Sequence, residues 1–115
     1  GYEIDYPKAM DYFKKAYELG HGYSASLLGY MYQYGKGVSP NIQEAISWYT
    51  KAANMRGNTI AMMNLANIYY ENDSLKNIQQ TLSWLRKAAK FGNGDAYDRI
   101  GYFYTLGEGV EKNDS

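Results

Sequence analysis

The feature that most constrains this chain is that it repeats itself. Residues 20–56, GHGYSASLLGYMYQYGKGVSPNIQEAISWYTKAANMR, match residues 57–91, GNTIAMMNLANIYYENDSLKNIQQTLSWLRKAAKF, and GNGDAYDRIGYFYTLGEGVEKNDS at 92–115 opens a further copy. The opening DYPKAMDYFKKAYELG reads as the second half of a preceding copy. Anchors recur every 36 residues at Lys15, Lys51 and Lys87 and at Ala16, Ala52 and Ala88, and Gly37 returns as Gly109 after 72. A period of this length means stacked supersecondary units, none of which can bury its apolar face alone. The units are a partial copy at 1–19 that supplies a second helix, copies at 20–56 and 57–91, and a partial copy at 92–115 that supplies a first helix.

Each copy reads as two helices. The first, near 22–34, 58–72 and 94–106, carries Leu28, Leu65 and Ile100, each followed four residues later by Tyr32, Tyr69 or Tyr104 on the same face. Gly29, Ala66 and Gly101 follow the aliphatic residue and leave room for a neighbouring helix. The second helix, near 6–19, 42–56 and 78–91, has apolar stripes at Ile46, Tyr49, Ala53 and at Leu82, Leu85, Ala89. Asn41 with Glu44, and Asn77 with Gln80, have the spacing of a capping box, and Asp5 precedes Pro7 near a helix start. Gly20, Gly57 and Gly92 fall where a helix stops in a left-handed residue. Two hairpins turn on paired glycines, Gly35 with Gly37 and Gly107 with Gly109; the middle copy has Asn72 and Ser74 instead and is expected to turn less regularly.

The pattern A-x3-LG-x2-Y-x2-G-x-GV-x2-[DN]-x2-KA-x2-WY-x-KAA-x2-G, best met by Leu28, Gly29, Tyr32, Gly35, Gly37, Val38, Ala45, Trp48, Tyr49, Lys51, Ala52 and Ala53, resembles the Sel-1-like repeat, a relative of the tetratricopeptide repeat with a longer inter-helix loop. Departures include Ser24 and Thr81 for Ala, Leu85 for Tyr, and the lost glycines at Asn72 and Ser74. The resemblance implies an all-α, right-handed solenoid of antiparallel helix pairs, with first helices lining a concave face, used as a scaffold or adaptor. Carrying the ligand-facing positions of tetratricopeptide-like first helices onto this chain selects three sets. The first is Tyr23, Ser26, Tyr30, Gln33 and Tyr34; the second is Ile60, Met63, Asn67, Tyr70 and Glu71; the third is Asp95, Asp98, Tyr102 and Thr105. The resulting groove is aromatic, polar and weakly acidic, without basic residues, and none of its members is expected to serve the core. Its expected occupant is another protein or a peptide bearing Lys or Arg.

Other chemistries fare worse. Lys plus Arg equals Asp plus Glu at 12 each, so no net field draws in nucleic acid or an anionic membrane. Lys15, Lys51 and Lys87, extended by Lys14, Arg86 and Lys90, form a ladder that a helical nucleic-acid-binding repeat could use, but they sit late on second helices where the helix dipole alone favours them. No cysteine is present, which removes disulfides and thiolate metal sites, suits either redox compartment, and separates the chain from cysteine-rich repeats of the family associated with β-lactam binding or hydrolysis. His21, the single histidine, follows a stop glycine and reads as a helix-start residue. GKG at 35–37 and GEG at 107–109 lack the surroundings of a phosphate loop. The expectation is therefore no enzyme, no metal, no cofactor and no membrane insertion, since no apolar run approaches the roughly 18 residues of a span.

Tyrosine is over-represented, with 14 against 3 Phe and 2 Trp. Repeated structural positions account for part of this, and half-buried recognition surfaces, which suit a flat ring with a hydroxyl, for the rest. The chain opens inside a repeat and stops at Asn113, which aligns with the caps Asn41 and Asn77, so it is expected to be an internal piece of a longer array. Its end helices are then expected to expose Phe13, Ile100, Phe103 and Tyr104, and to stack end to end on another copy or be covered by a tail.

Overall fold

The computed structural model describes residues 3–55, 57–73, 75 and 77–108. Ser74, Gly109 and Asn113 lie outside them. Among the described residues there are six helices and no strand: α1 (Tyr6–Glu18), α2 (Gly22–Tyr34), α3 (Ile42–Ala53), α4 (Thr59–Glu71), α5 (Ile78–Lys90) and α6 (Gly94–Leu106). The chain forms two compact units, residues 1–61 and 62–115, with the first turn of α4 in the former and the remainder in the latter.

In the first unit α2 packs against both α1 and α3. Met10, Leu28 and Met31 form a buried cluster, with Phe13, Tyr32, Val38 and Trp48 packed around it. The α2–α3 contact turns on Gly29. A Cβ at that position would lie 2.7–2.9 Å from ring atoms of Tyr49, which is itself only 1% exposed and has no room to retreat. Glycine thus lets a tyrosine ring lie directly on the helix backbone. The buried stripe of α3 is Ala45, Tyr49, Ala52 and Ala53, with Ile46 half-buried at its edge, so the face sits slightly to one side of the stripe read from the sequence. Trp48 meets Tyr17 edge-on, 5.5 Å between centroids.

In the second unit the stripe of α5 is as expected, with Leu82, Leu85 and Ala89 buried beside Ala88 and Thr81. Thr81 stands where the repeat has alanine. Its buried hydroxyl donates to the Asn77 carbonyl at 2.9 Å and reaches the Ala66 carbonyl at 3.5 Å, so the substitution leaves no orphaned polar group. α6 packs on α5, and Phe103 is buried edge-on to Tyr70. Of the four residues expected to lie exposed at the chain's ends, Tyr104 does so; Phe13 and Ile100 are half-buried and Phe103 is covered by Tyr70.

Helix starts follow the sequence with one difference. The side chains of Asp5, Asn41 and Asn77 accept from the backbone N–H three residues on, at 3.0, 3.1 and 2.9 Å. Asn93 does the same for α6 at 3.0 Å. The capping boxes, however, do not close reciprocally. The backbone N–H of Asn41 donates to the Tyr32 carbonyl at 2.8 Å, and that of Asn77 to the Tyr69 carbonyl at 2.9 Å. A donor that a capping-box Glu or Gln would satisfy is taken by an orphan carbonyl at the end of the preceding helix. This clasp is the same in both copies although the second has lost the hairpin glycines. The stop glycines Gly20, Gly57 and Gly92 all adopt positive φ, at 98°, 65° and 92°. A Cβ on Gly37 would run into Tyr6.

Two substitutions at equivalent glycines should move stability in opposite directions. Gly29→Ala should cost on the order of 1–3 kcal/mol by forcing Tyr49 off its seat. Gly101, with open space around its Cβ position, should tolerate Gly101→Ala with a gain of about 0.5–1 kcal/mol from helix propensity. Chemical denaturation of both variants tests this; equal effects would remove the Gly29–Tyr49 contact from the account.

Candidate functional site

The residues selected for recognition divide between the two units. In the first, α2 holds Tyr30 and Tyr34 one turn apart with ring centroids 4.9 Å apart, and the residues are 49% and 58% exposed. Such a pair presents a broad aromatic face that the core does not use. Tyr23 is also exposed and stands near the His21 ring, beside a small opening shared with Met55 and Asn58. His21 is the N-cap of α2, and its Nδ1 lies 2.8 Å from the hydroxyl of buried Ser24. This confirms its place at a helix start and explains the tolerance of serine at an alanine position.

Two members of the first set serve the fold. Ser26 is buried, and its hydroxyl accepts from the Asn58 side chain at 3.2 Å. Gln33 is half-buried, and its Oε1 accepts from the Tyr49 hydroxyl at 2.8 Å. The expectation that no groove residue serves the core fails for both: buried Tyr49 brings a hydroxyl that needs an acceptor, and Ser26 is itself a buried polar group that needs a partner. Burial, followed by the nearness of Tyr34 and Tyr30, pushes the Tyr49 phenol well above its ordinary range.

In the second unit, α4 supplies Met63, Asn67 and Tyr70, all half-buried, and Glu71, exposed. Ile60, in the first turn of α4 and hence in the first unit, is exposed. α6 supplies Asp95, Asp98, Tyr102 and Thr105, all exposed, with Tyr102 at 67%. Between α4 and α6 lies a pocket of about 180 Å³ lined by Tyr70, Arg99, Tyr102, Phe103, Leu106 and Glu108. The Tyr70 hydroxyl donates to the Glu108 carboxylate at 3.1–3.2 Å, a bond that raises the Tyr70 phenol, helped by burial. Arg99 donates to the Asn67 side-chain oxygen.

Arg99 and Glu108 were not among the positions selected from the sequence. Arg99 supplies the basic group that the groove is expected to lack, and it donates to the amide oxygen of Asn67, one of the selected positions. No repeat-wide signal marks Arg99, which aligns with Leu27 and Asn64 in the other copies.

The lysine ladder has a local explanation. Lys51 lies over the ring of Trp48 at 4.3 Å and Lys87 over that of Trp84 at 5.3 Å, each one turn along the same helix. Among the described residues no group of three or more His, Cys, Asp or Glu is placed to hold a metal ion, and no helix is long and apolar enough to cross a membrane.

With this geometry in view, the comparisons are decisive about family. The Sel1 repeat matches residues 1–21, 22–56, 59–93 and 94–115. The chain belongs to the Sel1 repeat family. It is 33% identical over 116 residues to the chitin synthase regulator SKT5 of Saccharomyces cerevisiae, covering 91% of this chain and 16% of that protein. Among solved structures, a Sel1 repeat protein from Oxalobacter formigenes is 37% identical with a TM-score of 0.81, over 95% of this chain and 44% of the other. A protective antigen of uropathogenic Escherichia coli strains with the same repeat fold is 33% identical with a TM-score of 0.83, over 96% and 24%. The α-solenoid class read from the sequence is the fold of these neighbours. The chain spans well under half the length of the yeast relative, and Sel1 repeats in general mediate contacts between proteins.

The buried phenol gives a pH prediction. Because the fold favours neutral Tyr49, its contribution to stability is full below the unfolded phenol's pKa of about 10 and is lost as pH rises above that value. The melting midpoint of the parent should therefore fall more steeply above about pH 10 than that of Tyr49→Phe; parallel curves would show that Tyr49 ionises as freely in the fold as out of it.

Proposed function

We propose that this chain holds a partner polypeptide through exposed side chains on its first helices, acting as a scaffold rather than a catalyst. The observation that carries this reading is the set of large aromatic side chains that packing leaves free, above all the Tyr30–Tyr34 pair and Tyr102. Tyrosine offers extensive contact area at small entropic cost, and its hydroxyl can find a partner in a peptide backbone. The yeast relative, named as a regulator of chitin synthase, fits a repeat that works through other proteins. Each unit contributes its own contacts. Met63 adds an adaptable apolar surface in the second unit, and Glu71, Asp95 and Asp98 give it a negative fringe.

Peptides selected from a displayed random library on the purified chain supply the test. Tyr30→Ala, Tyr34→Ala and Tyr102→Ala should each weaken binding by about 1 kcal/mol or more while circular dichroism keeps its helical signal. Lys51→Glu and Lys87→Glu should change little, since those side chains engage their own helices. Binding lost in the lysine variants and kept in the tyrosine variants would move recognition to the second helices and sink the assignment.

A further inference from the structure

Two openings in this chain fall at the same register of the repeat. In the first unit, a cleft of about 420 Å³ is lined on its α2 side by Leu27, Tyr30, Met31 and Lys36. Moving on by 72 residues, the step from Gly37 to Gly109, gives Arg99, Tyr102, Phe103 and Glu108, which line the pocket of the second unit. The backbone treats the last position of each set alike. Lys36 follows the left-handed Gly35 and its N–H donates to the Met31 carbonyl at 2.9 Å; Glu108 follows the left-handed Gly107 and its N–H donates to the Phe103 carbonyl at 3.1 Å. A fixed helix-ending turn thus sets a charged side chain at the rim of each opening, and the sign is chosen copy by copy.

In the second unit the choice is a carboxylate beside aromatic walls. The Tyr70 hydroxyl anchors Glu108 at the pocket, and Arg99 is tied to Asn67. Asp95 and Asp98 on α6 and Glu71 at the end of α4 do not line the pocket, whose own charges are the Glu108 carboxylate and the Arg99 guanidinium already engaged by Asn67. At about 180 Å³ the space is below the roughly 300–1,000 Å³ that enclose a small molecule, and fits one side chain.

We propose that this pocket takes a Lys or Arg side chain of a partner polypeptide, with its aliphatic stem against Tyr102, Phe103 and Leu106 and its charged head at Glu108. The proposal rests on the reading of the chain as a polypeptide-binding scaffold. Long basic side chains bury their stems and keep the head polar, and a cation gains further from the aromatic faces. A purely apolar occupant would strip water from Glu108 and return nothing to it.

The test is an NMR titration of the full chain with blocked tripeptides, acetyl-Gly-Arg-Gly-amide and its Lys, Glu and Leu counterparts. The Arg and Lys peptides should shift amide resonances of residues 102–108. Glu108→Gln should weaken them roughly fivefold or more, and Arg99→Gln, by removing a like charge, should tighten them. A preference for the Glu peptide that Arg99→Gln removes would overturn the proposal in favour of a carboxylate ligand. An equal response to the Leu peptide would reduce the pocket to an apolar anchor, and no response in this segment would also overturn it. Each of these failures leaves the scaffold reading standing if library-selected peptides still depend on Tyr30, Tyr34 and Tyr102; that reading falls separately if they do not.

Discussion

Helices of 12 or 13 residues are too short to persist in water alone, where the threshold is roughly 12–15 residues even for favourable sequences. Everything in this chain follows from the need to give each one a partner. Where first and second helices of one copy meet in the first unit, the means is a glycine under a tyrosine ring. Gly29 removes the only atom that would hold Tyr49 away from the backbone, and Tyr49 then fills the space with a single rigid, buried group. The cost of burying its hydroxyl is met by Gln33, which is why a residue on the solvent side of α2 is drawn into the fold. In the second unit the corresponding tyrosine is Leu85 and needs no such acceptor. The residue aligned with Gln33 is Tyr70, released for other contacts.

Element boundaries and the class of fold were legible because repeats state them several times. The periodic stripe, the asparagine caps and the stop glycines each occur in more than one copy, and helical spacing converts directly into a buried face. Partners of polar atoms were less legible. The capping boxes failed in their second half because a carbonyl left over at Tyr32 or Tyr69 competes for the same N–H, and nothing within the four-residue motif reports that competitor. The pull of Gln33 and Ser26 toward the interior is likewise set by residues 16 and 32 positions away, Tyr49 and Asn58.

The candidate surface was legible to the extent that it is made of exposed aromatic rings. Tyr23, Tyr30, Tyr34 and Tyr102 are exposed because they sit opposite the aliphatic stripe, and that follows from helical geometry alone. Arg99 and Glu108 were missed for different reasons. Arg99 aligns with Leu27 and Asn64 in the other copies, so no repeat-wide pattern marks its position as polar. Glu108 lies past the end of α6 in what the sequence shows only as a turn, and it becomes part of a site through the bond from its own N–H to Phe103.

That turn also explains how a repeat protein can vary its recognition without risking its fold. Packing positions are constrained where they are filled, since a Cβ at Gly29 would meet the Tyr49 ring and Ala52 is fully buried. The residue after the left-handed glycine is under no such demand: its backbone is fixed by the i−5 hydrogen bond, while its side chain lines an opening rather than the core. Lys36 and Glu108 therefore occupy the same backbone position with opposite charge, and exchanging Glu108 forfeits its bond from Tyr70 but leaves the turn's backbone bond in place. Specificity written at such a position changes by whole charges, which discriminate between ligands more sharply than adjustments of apolar area do, because the wrong charge leaves two like ions facing each other in a site partly shielded from water.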